Sequence, residues 1–344
     1  MPALEKVTII GSGNWGSAIA KIIGTNTARH SEQFESTVRQ WVFEEQVDGQ
    51  NLTDIINTQH ENVKYLKGVA LPHNIVAIPD VIKACEGASL VVFVVPHQFI
   101  HGICEKMKGH LAPNARAISL IKGLEITSEG TRLFSEEISR ILDIPCAALS
   151  GANIANEVAL EKFCESTIGC QSMEDGLVFK NLFDTPYFRI AVIDDHVGVQ
   201  LCGALKNVVA VGAGFSDGLG YGSNTKAAII RLGLMEMRKF GQTFFGDSVK
   251  TETFFESCGA ADLITTCNGG RNRKVAEAFV VTGKPIAQLE EELLNGQKLQ
   301  GTLTAQEVNS FLVARNMTKE FPLFNTVYRI VYEGVSPEMI TVDI

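Results

Sequence analysis

The chain has 344 residues, 45% of them hydrophobic, and a formal net charge of -9 at neutral pH. That length is more than one hydrophobic core ordinarily organises, so two domains are expected. The acidic balance excludes the broad basic face that nucleic acid or an anionic membrane requires, but not a single basic pocket for a small anion.

Residues 7–10 form a short β-rich run, followed at once by Gly11, Ser12, Gly13, Asn14, Trp15 and Gly16 and then by an apolar helical stretch. Strand, glycine turn and helix in this order meet the structural condition that a bare GxGxxG lacks. Gly11 would allow the tight turn, Gly13 the close approach of a pyrophosphate and Gly16 the packing of helix on strand, with free N–H groups at the helix start for the phosphates. A second strand over 38–43 ends in Glu44 and Glu45. An acid there would accept hydrogen bonds from a ribose 2'-hydroxyl and repel a 2'-phosphate, which favours NAD over NADP; the pair could equally be a solvated loop. Further strands are expected at 75–78, 90–95, 117–120, 146–149 and 187–193, alternating with helices, which makes the N-terminal part α/β with a doubly wound, mainly parallel sheet. Phe99, Lys122, Asn153 and Asn156 then follow strand ends, on the edge where such sheets bind ligands.

Near residue 194 the pattern changes from short β runs to long helical ones, so the domains are placed at 1–193 and 194–344, the second all-α. Apolar residues recur at the helical period from Val197 to Phe215, with Lys206 inside the run and no carboxylate one turn away on its own face. Such a lysine either snorkels to the surface or serves as a general acid or base tuned by a half-dry pocket. A second helix, with Asn224 as N-cap, is apolar on nearly every side and should lie inside the domain. Asp262 and Thr266 stand one helical turn apart, and Gly269 and Gly270 lead into Arg271 at a new helix start. Amides, a helix N-terminus and a guanidinium there make an anion site of phosphate size. Arg273 and Lys274 read as surface charges.

The first ten residues carry no long apolar stretch, and no unbroken apolar run reaches the ~18 residues of a membrane span, so a soluble, unexported, cytoplasmic chain is expected. The eight cysteines show no CxxC, which suits a reducing compartment better than a disulfide scaffold. The seven histidines are scattered apart from His97 and His101, which stand four residues apart with no third histidine beside them in the sequence, so no catalytic metal is expected.

The stretches GSGNWGSAIAKI, ENVKYL, VVPHQF, SLIKG, GANIANE, FCESTIGC, CGALKNVVAVGAGF, NTKAAIIRLGLMEM, SCGAADLITTCNGGRNRKVAEAF and LLNGQKLQG stand in one register. Together they resemble the cytosolic NAD-dependent glycerol-3-phosphate dehydrogenases, animal enzymes most of all. The resemblance covers nearly the whole chain and implies a Rossmann-type domain joined to an all-helical substrate domain, in a homodimer. It also implies reversible reduction of dihydroxyacetone phosphate, a phosphorylated triose, by NADH. By that resemblance Lys206 is the proton donor and acceptor at the C2 oxygen. Lys122, Asn207, Asp262 and Thr266 line the reacting end, while Arg271 and Asn272 hold the phosphate. The cofactor side would use residues 11–16, Phe43, Phe99, Ala155, Arg271, Lys298 and Gln300. Ser150, Asn268, Ser223 and the pair Val69 and Ala70 depart from the family pattern, and Gln200 stands where glutamate is common. A related hydroxy-acid or sugar-phosphate dehydrogenase, or a silent NAD-binding protein on the same fold, are the competing readings.

Overall fold

The computed structural model describes residues 3–344, which divide into two compact units. The first comprises residues up to Ile121 together with Phe134–His196, and the second comprises Lys122–Leu133 with Val197–Ile344. The division therefore differs from a single cut at 193/194. A short hairpin, Leu124–Ile126 paired with Thr131–Leu133, belongs to the second unit although its sequence lies within the first.

The first unit is built on eight strands: β1 Val7–Ile10, β2 Val38–Trp41, β3 Ile75–Ile78, β4 Leu90–Phe93, β5 Arg116–Ser119, β6 Cys146–Ser150, β7 Cys164–Gly169 and β8 Phe188–Ile193. They lie in the order β8-β7-β6-β5-β4-β1-β2-β3, and every neighbouring pair is parallel except β6 with β7. The strand β7, which the alternation of short runs does not reveal, turns the edge of the sheet antiparallel; β8 then follows it in parallel. Side chains of alternate strand residues feed two apolar layers. Val7, Ile9, Leu90, Val92 and Ile118 face Ile19, Ile22, Phe179 and Phe183 on one side. Ile10, Val91, Phe93 and Ala117 face Ile100, Ile103, Met107 and Ile138 on the other. Burial on both faces is what a parallel sheet covered by crossover helices requires.

In the second unit α2, His196–Gly218, is the central element, with nearly every residue from Val197 to Ser216 buried; the helix after β1 is α1, Asn14–Arg29. By length and mean hydropathy α2 could cross a membrane, although no run of consecutive apolar residues signalled it; 94% of its apolar window is buried inside the protein. Next comes α3, Ser223–Phe245, capped by Gly222 rather than by Asn224, which is an exposed residue of the first turn. It is not apolar all round in its setting either. Only Ile229, Gly233, Glu236, Met237, Phe240 and Gly241 are buried, a single stripe, and Met235 on the other side is exposed. The remaining elements used below are α4 Asp262–Gly269, α5 Arg271–Thr282, α6 Gln300–Val313 and α7 Pro322–Tyr332.

Candidate active site

A π-helical turn, Ser257–Ala261, runs directly into α4. Such wide turns re-aim the residue that follows them and are frequent at functional sites. Here that residue is Asp262, 2% exposed, and both of its oxygens are engaged by ammonium groups from other elements. Lys206 of α2 brings its Nζ to 2.5 Å from Oδ1, and Lys122, at the base of the hairpin, brings its Nζ to 3.0 Å from Oδ2. Lys206 also donates to Thr266 Oγ1 at 2.9 Å, and that hydroxyl donates to the Asp262 carbonyl at 2.6 Å, one turn back on α4. Lys206 does not snorkel: it is 5% exposed. Burial first, and then the neighbouring Lys122 charge, bring its pKa down to about 7 against the opposing pull of Asp262.

Beside this cluster, Asn272 Nδ2 donates to Asn207 Oδ1 at 2.9 Å, and Asn272 Oδ1 accepts from the Gly301 amide at 2.8 Å. The pair ties α2, α5 and α6 together. Arg271, exposed at the first turn of α5, donates to Gln297 Oε1 at 2.8 Å. The Gly270 cap leaves the α5 start without a side-chain acceptor, so its amides and the guanidinium are available together. Arg273 is not the surface charge expected of it. Its Nη1 lies 2.8 Å from Asp217 and 2.9 Å from Glu277, fastening the end of α2 to α5, while Lys274 is exposed. Lys298 is held by Glu290 at 2.8 Å, and Gln300 donates to Thr304 at 3.3 Å.

In the first unit the glycine turn has a shape that side chains could not share. Gly11 adopts a φ of +120°, and a Cβ on it would stand 2.4 Å from the Val94 carbonyl oxygen; one on Gly16 would stand 2.6 Å from the Gly11 carbonyl oxygen. At Gly13 nothing lies within 4 Å of the Cβ position, and α1 begins there with neither a side-chain cap nor an acid in its first turn. An open glycine before an uncapped helix fits a dinucleotide pyrophosphate. Two buried amides brace the turn: Gln40 donates to the Gly11 carbonyl at 2.9 Å, and Asn62 to the Ser12 carbonyl at 2.8 Å and Ser17 Oγ at 2.9 Å. Asn14 donates to the Tyr65 carbonyl and to Asn156 Oδ1. Trp15 and Ala155 pack against Ala18, Leu66, Val69 and Ala159, whereas Phe43 and Phe99 are exposed aromatics. The two acids after β2 are bonded to neighbouring side chains of the same unit. Glu44 accepts from Thr53, and Glu45 from Lys64 and the Tyr65 hydroxyl, contacts that hold the Glu45 carboxyl below its ordinary range. Asn153 likewise serves the fold, bonded to the Glu165 carbonyl and Ser166.

Residues 6–175 match the family model for the NAD-dependent glycerol-3-phosphate dehydrogenase N-terminus, and residues 195–342 the model for its C-terminus. The chain belongs to this family. It is 61% identical over 332 residues to the human cytoplasmic NAD(+) glycerol-3-phosphate dehydrogenase, covering 96% of this chain and 95% of that one. The rat enzyme of the same name is 60% identical, with 96% and 94% covered. Among solved structures, a glycerol-3-phosphate dehydrogenase of Saccharomyces cerevisiae superposes with a TM-score of 0.96 at 48% identity, covering 99% of each chain. One from Coxiella burnetii gives 0.81 at 30% identity, with 98% of each covered.

Among the positions where the chain departs from the family pattern, Ser223 and Asn268 are exposed, Gln200 is buried within α2, and Val69 is buried against the first turns of α1. Ser150, at the end of β6, is 5% exposed, and its hydroxyl has no hydrogen-bond partner among the described residues. Sequence reasoning assigned no role to Gln40 and Asn62. A buried amide holding a turn leaves no periodic trace, so nothing in the local pattern points to them.

Proposed function

We propose that this chain interconverts dihydroxyacetone phosphate and sn-glycerol 3-phosphate with NAD, Lys206 acting as the general acid and base. The observation that carries this reading is the buried Lys206 ammonium beside Asp262 and Lys122, with a pKa near 7. Bound NADH supplies the two electrons and the hydrogen that reduce the C2 carbonyl, and NAD+ takes them back in the reverse direction. As carbonyl carbon becomes alcohol carbon, negative charge gathers on the oxygen, which a fixed cation stabilises best in a dry site. An ammonium has three donors. Asp262 and Thr266 orient two of those on Lys206, leaving one for the substrate oxygen, and a pKa near neutrality lets the same nitrogen release its proton and recover it. Lys122 adds a second positive charge at the reacting end.

Arg271 and Asn272 at the start of α5 are the groups we assign to the phosphate, with Asn207 setting the Asn272 amide. The phosphate takes no part in the chemistry, but its binding energy places the carbonyl. The glycine turn of residues 11–16, Phe43, Phe99 and Ala155 are assigned to the dinucleotide, with Arg271, Lys298 and Gln300 from the second unit. Its animal relatives are named cytoplasmic, and we assign the chain to that compartment and to a homodimer; light scattering that returned the mass of a single chain would remove the dimer.

The test is a panel of carbonyl substrates with NADH and NADPH. Dihydroxyacetone phosphate with NADH is expected to turn over fastest, well ahead of unphosphorylated dihydroxyacetone. NADH oxidation by a keto-acid but not by dihydroxyacetone phosphate would replace the assignment with a hydroxy-acid dehydrogenase, and none with any carbonyl would leave a silent NAD-binding protein.

A further inference from the structure

We infer that Arg315 is a positioning residue for the reaction, pinning the tip of the hairpin whose base carries Lys122 and so holding that ammonium against Asp262. The inference rests on the roles proposed above for Lys122 and Lys206. Directly after Lys122, Gly123 takes a φ of +109°, and the chain turns into the strand Leu124–Ile126. The hairpin pairs only three residues with three, Leu124 with Leu133, Glu125 with Arg132 and Ile126 with Thr131. Two strands of that length are marginal by themselves, so the hairpin needs an anchor. Its apolar side supplies part of one, since Leu124, Ile126 and Leu133 are buried. The tip is a four-residue turn closed by the Thr127 amide on the Gly130 carbonyl at 2.8 Å.

Arg315, just beyond α6, reaches this tip with both arms of its guanidinium. Nη1 donates to the Ser128 carbonyl at 3.0 Å, and Nη2 to the Glu129 carbonyl at 3.3 Å. The same group is fixed from behind. Nη1 also donates to the Phe311 carbonyl at 3.0 Å, and the guanidinium carbon stands 3.7 Å from the centre of the Phe311 ring. Phe311 is itself buried and packs against Phe240 and Phe244. A planar fork stacked on a fixed ring and bonded to two adjacent carbonyls is a task for which lysine is a poor substitute. Through it the tip is attached to the aromatic core of the second unit, and the base of the hairpin is held where Lys122 meets Asp262. A displaced Lys122 would no longer depress the Lys206 proton affinity.

The charged and titratable groups around Lys206 are Lys122, Asp262 and the Cys267 thiol. Facing the hairpin from α6 is Glu307, whose carboxyl burial and Glu125 push up to about 7, into the same range. Profiles are therefore compared in a Glu307→Gln background. Arg315→Met keeps an apolar stem over Phe311 and removes the donors. It is expected to lower kcat by a factor on the order of ten to a hundred and to move the Lys206 limb of the kcat/KM profile to higher pH. Amide exchange is expected to speed up within residues 124–133, Arg315→Lys to restore part of kcat, and Arg315→Met to cause no further loss in a Lys122→Met background. Wild-type kcat with an unmoved limb, or losses that multiply in the double variant, would overturn the inference. Should Arg315→Met not fold, Arg315→Gln takes its place with the same readouts. If the wild type does not use dihydroxyacetone phosphate, the function assignment fails separately, and unchanged exchange at 124–133 in the variant still overturns the anchoring.

Discussion

Lys206 is governed by burial and by two charged neighbours that pull in different directions. The dry interior of the second unit and the Lys122 charge discharge it, Asp262 charges it, and the first two win, leaving a pKa of about 7 where an exposed lysine has 10.5. The reduction requires the ammonium and the oxidation requires the free amine. We therefore expect kcat/KM for the carbonyl substrate to fall as pH rises through about 7 and kcat/KM for the alcohol to rise over the same interval, because this parameter reports the free enzyme. Lys206→Met should abolish turnover in both directions while NADH fluorescence still titrates with near-normal affinity; appreciable turnover would take the proton away from this residue. The isolation of Lys206 on its own helix is legible in the chain, as are Asp262 and Thr266 one turn apart. What is not legible is that a single carboxylate joins two lysines from segments far apart in sequence. Nor is it legible that the two acids after β2 find partners inside their own unit, Glu44 accepting from Thr53 and Glu45 from Lys64 and Tyr65.

At the scale of elements, α3 and α7 show how a helix borrows what its own sequence lacks. The start of α7 has no local cap, and Glu236 of α3 supplies one from a distance, accepting from the Leu323 amide at 2.7 Å and the Phe324 amide at 3.0 Å. Burial outweighs these two bonds and pushes the Glu236 carboxyl up to about 7 from an ordinary 4.5. A carboxyl whose folded pKa is raised contributes stability below its unfolded pKa, and that contribution is lost as pH rises through the folded one. Glu236→Ala should thus destabilise the protein by roughly 1–3 kcal/mol in acid, because two buried amides lose their acceptor. The difference should narrow as pH rises from about 4.5 through about 7, as followed by urea unfolding at several pH values. A difference that grew with pH would contradict the burial argument. The same carboxylate explains why α3 misleads a reader of the sequence. Its apolar residues run all round, yet only one stripe meets the rest of the unit, and a charged residue sits in that stripe because a neighbouring helix needs it.

Across the whole molecule, the cysteines give a test of packing that is independent of the active site. All eight are free thiols, six of them buried, and burial pushes Cys85 and Cys170 up to about 11 and Cys104 and Cys267 up to about 12. Thiolate is the reactive form, so a disulfide reagent at neutral pH should modify the native protein slowly and incompletely and the unfolded protein at all eight positions. Rapid loss of all eight in the native state would mean that the two units do not hold the packing described here. The chain by itself determined the alternation of strands and helices, the glycine turn at the first strand, the change to an all-helical second part and the lysine with no carboxylate on its own helical face. These follow from periodicity and from residues whose backbone or charge is locally exceptional. Tertiary structure alone decided that β7 runs antiparallel, that the hairpin bearing Lys122 belongs with the second unit, and that Asp262 lies between Lys122 and Lys206. Strand direction, unit membership and the pairing of buried charges depend on which distant segments share a core, and no local periodicity records that.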